Sequence, residues 1–353
     1  MSEDNPSETT TILTSEPSSP ACTSESTPMV SSPADSLSKT QSAIQALSSI
    51  LPSTPDLSLS TASSLLHDPD VASQISSLLR KPDSGAGDND LCRWLYDTFQ
   101  SGDSELQLVV LRFFPIIAGL YLSRIALRKH LAGFEAILLA LYAHETTSRG
   151  GQPVAVNIPD LSHPSLYHET NTPIKNNATE LNIAILSPTL EPYGTVRSTK
   201  RARIVGVGLE LYFSKIFWMP VGSKIDFCEF CVVWAGQDGD ACKESGCESS
   251  EQLWGGNGGS ERVGKEGRIP LPWELLQPVL RILGHCLMGT RKHKELLDAA
   301  LEACRNLYTR SVNDINPKAI LATGSLLRLR KMAMETADDF DPTEIQKPDV
   351  LSI

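Results

Sequence analysis

Apolar residues recur at helical spacing along most of this 353-residue chain, and short polar breaks divide them into segments. Leu91, Trp94, Leu95 and Phe99 fall at i, i+3, i+4 and i+8, which is one helical face. Ser101-Gly102-Asp103 breaks the pattern, and Asp103 is placed to cap the next helix. From Leu106 to Leu122 the residues are apolar on nearly every side, so that helix needs cover all round. Pro115 lies inside the run and predicts a kink. The run also holds Gln107 and Arg112, and an arginine at mid-membrane costs about 2.5–3.5 kcal/mol on insertion scales. The pattern therefore predicts a core helix of a packed body, not a membrane span.

The same reading extends along the chain. Ile44, Leu47, Ile50 and Leu51 predict a first short helix, and Val71, Ile75, Leu78 and Leu79 a second, opened by Asp68-Pro69-Asp70. Phe134, Ile137, Leu138, Leu141 and Tyr142 mark another. The period then changes: Val154, Val156 and Ile158 alternate with polar or small residues, which predicts one short strand or extended edge over 153–158. Residues 170–200, with Pro173, Pro188 and Pro192, read as irregular. A helix is expected over 201–218, with Ile204, Val207, Leu211, Ile216 and Phe217 inward, and another over 223–234. Three more are expected around Trp273–Leu287, Leu296–Leu307 and Ile320–Leu329. The fold class is all-α: a multi-helix body of packed antiparallel helices with at most one short strand or hairpin.

Composition adds boundaries. Ser, Thr and Pro fill 23 of the first 40 residues, too few apolar side chains to offset the entropy of ordering. Residues 1–60 are expected to be a disordered acidic tail, 61–335 the helical domain, 236–267 a flexible glycine-rich loop within it, and 336–353 a frayed acidic end. The net charge is −11, and the first 60 residues hold seven carboxylates against Lys39 alone. That balance argues against nucleic-acid binding by the whole chain. Residues 1–30 lack the basic start and apolar centre of a secretion signal, so a reducing, intracellular setting is expected for the eight cysteines.

Candidate chemistry is sparse. Cys228 and Cys231 form C-x2-C, with Cys242 and Cys247 following, and four thiolates suit tetrahedral zinc. The first pair, however, sits in IDFCEFCVVW, where cysteine serves as a small apolar residue. His163 and His168, near Asp160 and Glu169, would need to converge for metal or acid–base work, and Pro159 and Pro164 there favour a rigid loop. No nucleophile elbow, phosphate loop or kinase signature occurs. Basic clusters at Arg124–His130, Arg197–Arg203, Arg291–Lys294 and Arg328–Lys331 suit either ordinary helix ends or an anionic leaflet.

Several blocks resemble the hyccin family in the same order. They are WLYDTFQSGDSELQLVVLRFFPIIAGLYL at 94–122, GFEAILLALYAHE at 133–145, VNIPDLSHPSLYHE at 156–169, GRIPLPWELLQPVLRILG at 267–284 and LDAALEACRNLYTRSVNDINPKAIL at 297–321. The third is the most specific, because helix burial does not dictate its residue types. The resemblance implies a non-catalytic accessory subunit of the plasma-membrane type III phosphatidylinositol 4-kinase alpha complex. It implies binding to a tetratricopeptide-like scaffold subunit, with membrane recruitment through a separate peripheral subunit and a cytosolic location otherwise. It implies no cofactor. The Ser/Thr-rich tail and glycine-rich segment depart from the animal pattern and point to a plant member. Leu166, Tyr167 and His168, with Trp273, are the expected partner-interface residues. The competing readings are a zinc-dependent interaction module and an enzyme with its site in the 159–169 loop.

Overall fold

The computed structural model describes residues 33–52, 61–125, 127, 129–159, 181–236, 269–289 and 293–338. Twelve helices and one two-stranded sheet lie among them, which makes the fold all-α in character. The first helix, α1 (Pro33–Ile50), starts earlier than the apolar spacing predicts and lies within the segment expected to be tail. Its serine-rich sequence has little reason to stay helical alone. Tertiary contacts hold it: Ile44, Leu47 and Leu51 join the core, Ser36 donates to the Asp103 carboxylate, and Trp94 Nε1 donates to the Ala43 carbonyl at 2.9 Å.

Capping residues place the next helices. Thr61 and Ser64 form a reciprocal capping box on α2 (Ala62–His67), which the apolar pattern does not reveal. Asp68 caps α3 (Pro69–Arg80), with Pro69 at its first position. Asn89 caps α4 (Asp90–Gln100). Asp103 caps α5 (Ser104–Arg112) as expected, accepting from the Glu105 and Leu106 N–H groups at 3.0 Å each. Burial alone would raise the Asp103 pKa, but the Ser36 hydroxyl and those N–H groups outweigh it and hold the carboxyl below its ordinary value.

The long apolar run is two helices. It breaks at Phe113 and resumes as α6 (Phe114–Ile125), bent by 46° from α5. Pro115 is the cause: it has no N–H for the carbonyl of Leu111 and its ring crowds that turn. No single helix among the described residues is long and apolar enough to cross a membrane. Helix α6 is the axis of the core, buried from Phe114 through Leu122 and packed by α3, α8 (Arg201–Ser214) and α9 (Val221–Ala235). Between α6 and the sheet runs α7 (Ala132–Ser148), packed on α4 and α8.

The C-terminal third is an up-down-up set of α10 (Trp273–Met288), α11 (Lys294–Asn313) and α12 (Pro317–Asp338). Lys318 lies over the Trp273 ring, and Gly284 meets Leu326, so α10 and α12 run side by side in one direction. Helix α11 packs on both α9 and α12. Phe230 and Trp234 of α9 stack at 5.2 Å in this part of the core.

Three expectations need correction. Phe217 is not inward but 81% exposed, because α8 stops at Ser214 and the following turn sends Ile216 and Met219 in and Phe217 and Trp218 out. The last helix was expected from Ile320, Leu321, Leu326, Leu327 and Leu329 together, but Leu321 and Leu329 are exposed, since α12 packs through Ala319, Thr323 and Leu326. Residues 170–200 are not wholly irregular. Residues 181–187 form β2 (Leu181–Ser187), antiparallel to β1 (Val154–Pro159), with Val156 opposite Ala184 and Ala155 opposite Ile185.

Candidate partner interface

The hairpin is built on an anchored base and exposed along its length. Helix α7 ends at Ser148, and Gly150 and Gly151 turn the chain through positive φ, where glycine avoids the steric cost of a side chain. Arg149 then ties the base together. Its guanidinium pairs with Glu145 at 2.7 Å and Glu210 at 3.2 Å, and donates to Ser187 Oγ at 2.8 Å. Arg203 reaches Ser187 Oγ and the Pro188 carbonyl from α8. Beyond that base, Ile183 is 71% and Ile185 62% exposed, and Val156 and Ile158 are exposed on the other face. Among the described residues nothing covers either face of this two-stranded ribbon or pairs with its outer edges, so it gains little from packing.

Trp273 opens α10 directly after Pro272 and is 43% exposed, with the Lys318 ammonium 5.7 Å from its ring centre. It is therefore accessible, as an interface residue must be. Leu166, Tyr167 and His168 lie outside the described residues, in the stretch that joins β1 to β2. The apolar faces of the hairpin itself were not among the expected interface residues. The signal was present in Leu181-Asn182-Ile183-Ala184-Ile185, an alternation overshadowed by the prolines on either side.

Of the remaining candidates, the C-x2-C pair has a structural role. Cys228 and Cys231 are buried in α9, close to Cys286 and Cys304. Contact with Cys286 and burial push the Cys228 thiol well up, and burial does the same to Cys231, so neither is a thiolate near neutral pH. Cys242 and Cys247 lie outside the described residues, as do His163 and Glu169. Among the described residues no group of three His, Cys, Asp or Glu is arranged to hold a metal ion.

Arg124, expected in a basic cluster at a helix end, is buried instead. It donates to the Ser84 carbonyl and hydroxyl and to the carbonyls of Arg80 and Lys81. Arg112 does the same for Leu65, Leu66 and Asp68, and Arg310 for Trp234, Ala235 and Ile269. Each guanidinium thus plugs a helix C-terminus, of α2, α3 or α9, where carbonyls lack intrahelical donors and the dipole favours a cation.

An open cleft of about 730 Å³ between α3 and α9 is lined by Arg80, Lys81, Arg112 and Asp226. Arg80 pairs there with Asp226 at 2.9 Å and Glu229 at 3.1 Å. Burial nevertheless raises the Asp226 pKa to about 6, with Arg80 opposing and Glu229 adding. A carboxyl raised above its unfolded value lends stability that is full below about pH 4 and is lost as pH rises through 6. Asp226→Asn removes this dependence. The stability of the natural protein relative to that variant should fall by about 2 kcal/mol between pH 4 and 7. Urea midpoints of both proteins across that range measure it, and parallel profiles would refute it.

The Hyccin family model matches residues 56–347, which spans the capped helices, the hairpin and the three C-terminal helices. The match covers most of the chain. This protein belongs to the Hyccin family.

Proposed function

We propose that the chain is a non-catalytic accessory subunit of a phosphatidylinositol 4-kinase alpha complex. It binds and stabilises the tetratricopeptide-like scaffold subunit and so supports phosphatidylinositol 4-phosphate production at the plasma membrane. Recruitment from the cytosol goes through a separate peripheral subunit. Family membership supports the complex. The observation that carries a docking role is the anchored hairpin with Ile183 and Ile185 uncovered. A helical-repeat partner offers the apolar grooves such side chains fill, with a polar rim around them.

Binding the folded scaffold and not its unfolded form raises the scaffold's stability by about 2.7 kcal/mol when the subunit is present at a hundred times its Kd. The test is co-expression of the scaffold with the natural chain, with Ile183→Asp/Ile185→Asp, and with Trp273→Asp and Tyr167→Asp. The hairpin double variant should weaken capture about thirtyfold, the size of one interface hot spot of about 2 kcal/mol, with the helical circular dichroism unchanged. Affinity purification should recover the lipid kinase with the scaffold. Undiminished capture by every variant would remove these residues from the interface, and recovery of neither kinase nor scaffold would end the proposal.

A further inference from the structure

Phe217 and Trp218 are 81% and 64% exposed on the turn that follows α8. The turn is rigid: Lys215, Ile216, Trp218 and Met219 each donate a backbone N–H three residues back, and Ile216 and Met219 are anchored in the core. Phe217 lies edge-on to His285 at 5.0 Å, which places the turn beside the last turn of α10, where Met288 is also exposed. Because α12 runs alongside α10 in the same direction, its second half ends at this same pole.

In a chain of net charge −11, residues 214–225, 275–294 and 317–334 contain no Asp or Glu; the nearest carboxylates in sequence are Asp226, Glu295 and Asp298, and Glu335 and Asp338 at the end of α12. The three segments supply Lys215, Lys224 and Arg330 at or near this pole. Protruding aromatics and methionine beside basic side chains fit a partner that is apolar beneath and anionic at its surface. The geometry points to direct docking of this pole on an anionic phospholipid bilayer, with Phe217 and Trp218 entering the headgroup region and the basic side chains facing phosphates. This role does not rest on the scaffold reading, since the chain alone carries it.

The full-length chain should co-sediment with vesicles of phosphatidylcholine containing about one-third phosphatidylserine, and only weakly with phosphatidylcholine alone. Added salt should weaken the binding. Phe217→Ser/Trp218→Ser should lower partitioning at least about tenfold while leaving the melting temperature unchanged, since neither ring is buried. Lys215→Ala and Lys224→Ala should each lower it about fivefold. Acyl-chain-brominated phosphatidylcholine in the anionic vesicles should quench tryptophan emission in the natural chain and much less in Trp218→Phe. The proposal is overturned by no binding to anionic vesicles, by equal binding to both vesicle types, or by equal binding of the double serine variant. Loss of scaffold capture in that variant with vesicle binding intact would assign the pole to a protein partner instead.

Discussion

Replacing Arg124 with methionine is expected to destabilise the fold by about 3–5 kcal/mol, read as a fall in the urea midpoint at constant slope. The side chain is buried and its two terminal nitrogens serve four acceptors: the Ser84 carbonyl and hydroxyl, and the carbonyls of Arg80 and Lys81. Methionine matches much of the volume but donates nothing. The Lys81 carbonyl keeps the Ser84 N–H, but each other buried acceptor left without its donor costs about 1–3 kcal/mol, and the end of α3 loses a cation at its negative pole. Lysine is the informative comparison. It keeps the charge but has a single nitrogen and cannot span acceptors set for a planar fork, so Arg124→Lys should recover less than half of the loss. If the methionine variant lost under 1 kcal/mol, the carbonyls would have to find water, and the plug would be incidental.

Arg112 and Arg310 repeat the arrangement at α2 and α9, which shows how this fold joins helices of modest length. The caps at helix starts come from neighbouring residues, as with Asp68 and Asp103. Those at the ends come from arginines far along the chain, Arg124 reaching Arg80 across 44 positions. Local devices of the first kind were legible in the sequence. The Asp103 cap, the Pro115 break and the burial of the C-x2-C pair all follow from residue type and spacing. The plugs were not, because nothing local distinguishes Arg124 from the exposed Lys129 five residues later. Only the fold brings a helix end to it.

The same limit explains the interface. Trp273 was identifiable as a large aromatic at a helix start, but exposure of Phe217 depends on where α8 stops. Helical spacing continues through Ile216 and Phe217, so periodicity alone sends both inward. Ile183 and Ile185 look like core strand residues until the sheet proves, among the described residues, to have a single partner strand. Burial of an apolar residue is a property of its neighbours, and its sequence pattern reports only which residues share its face.

The second large effect is expected at Gly206. Pro278 lies inside α10 and has no N–H to give the Glu274 carbonyl four residues earlier. That carbonyl faces α8, and a Cβ built on Gly206 would stand 2.5 Å from its oxygen. Both partners are helix backbone, so neither yields without moving a helix. Gly206→Val should therefore cost about 3 kcal/mol or more, despite the gain in helix propensity over glycine. At Gly208 an added Cβ would meet the Phe114 ring instead, and a ring is freer to shift than a carbonyl. Alanine should thus be worse tolerated at Gly206 than at Gly208. Gly222 lies at the start of α9 with nothing within 4 Å, and there alanine should be neutral or stabilise by up to about 1 kcal/mol. Melting temperatures in the order Gly222→Ala, Gly208→Ala, Gly206→Ala, from highest to lowest, would establish that the α8–α10 approach sets the limit. A Gly206→Ala protein as stable as Gly222→Ala would show that the two helices separate at little cost, and that Pro278 is tolerated for some other reason.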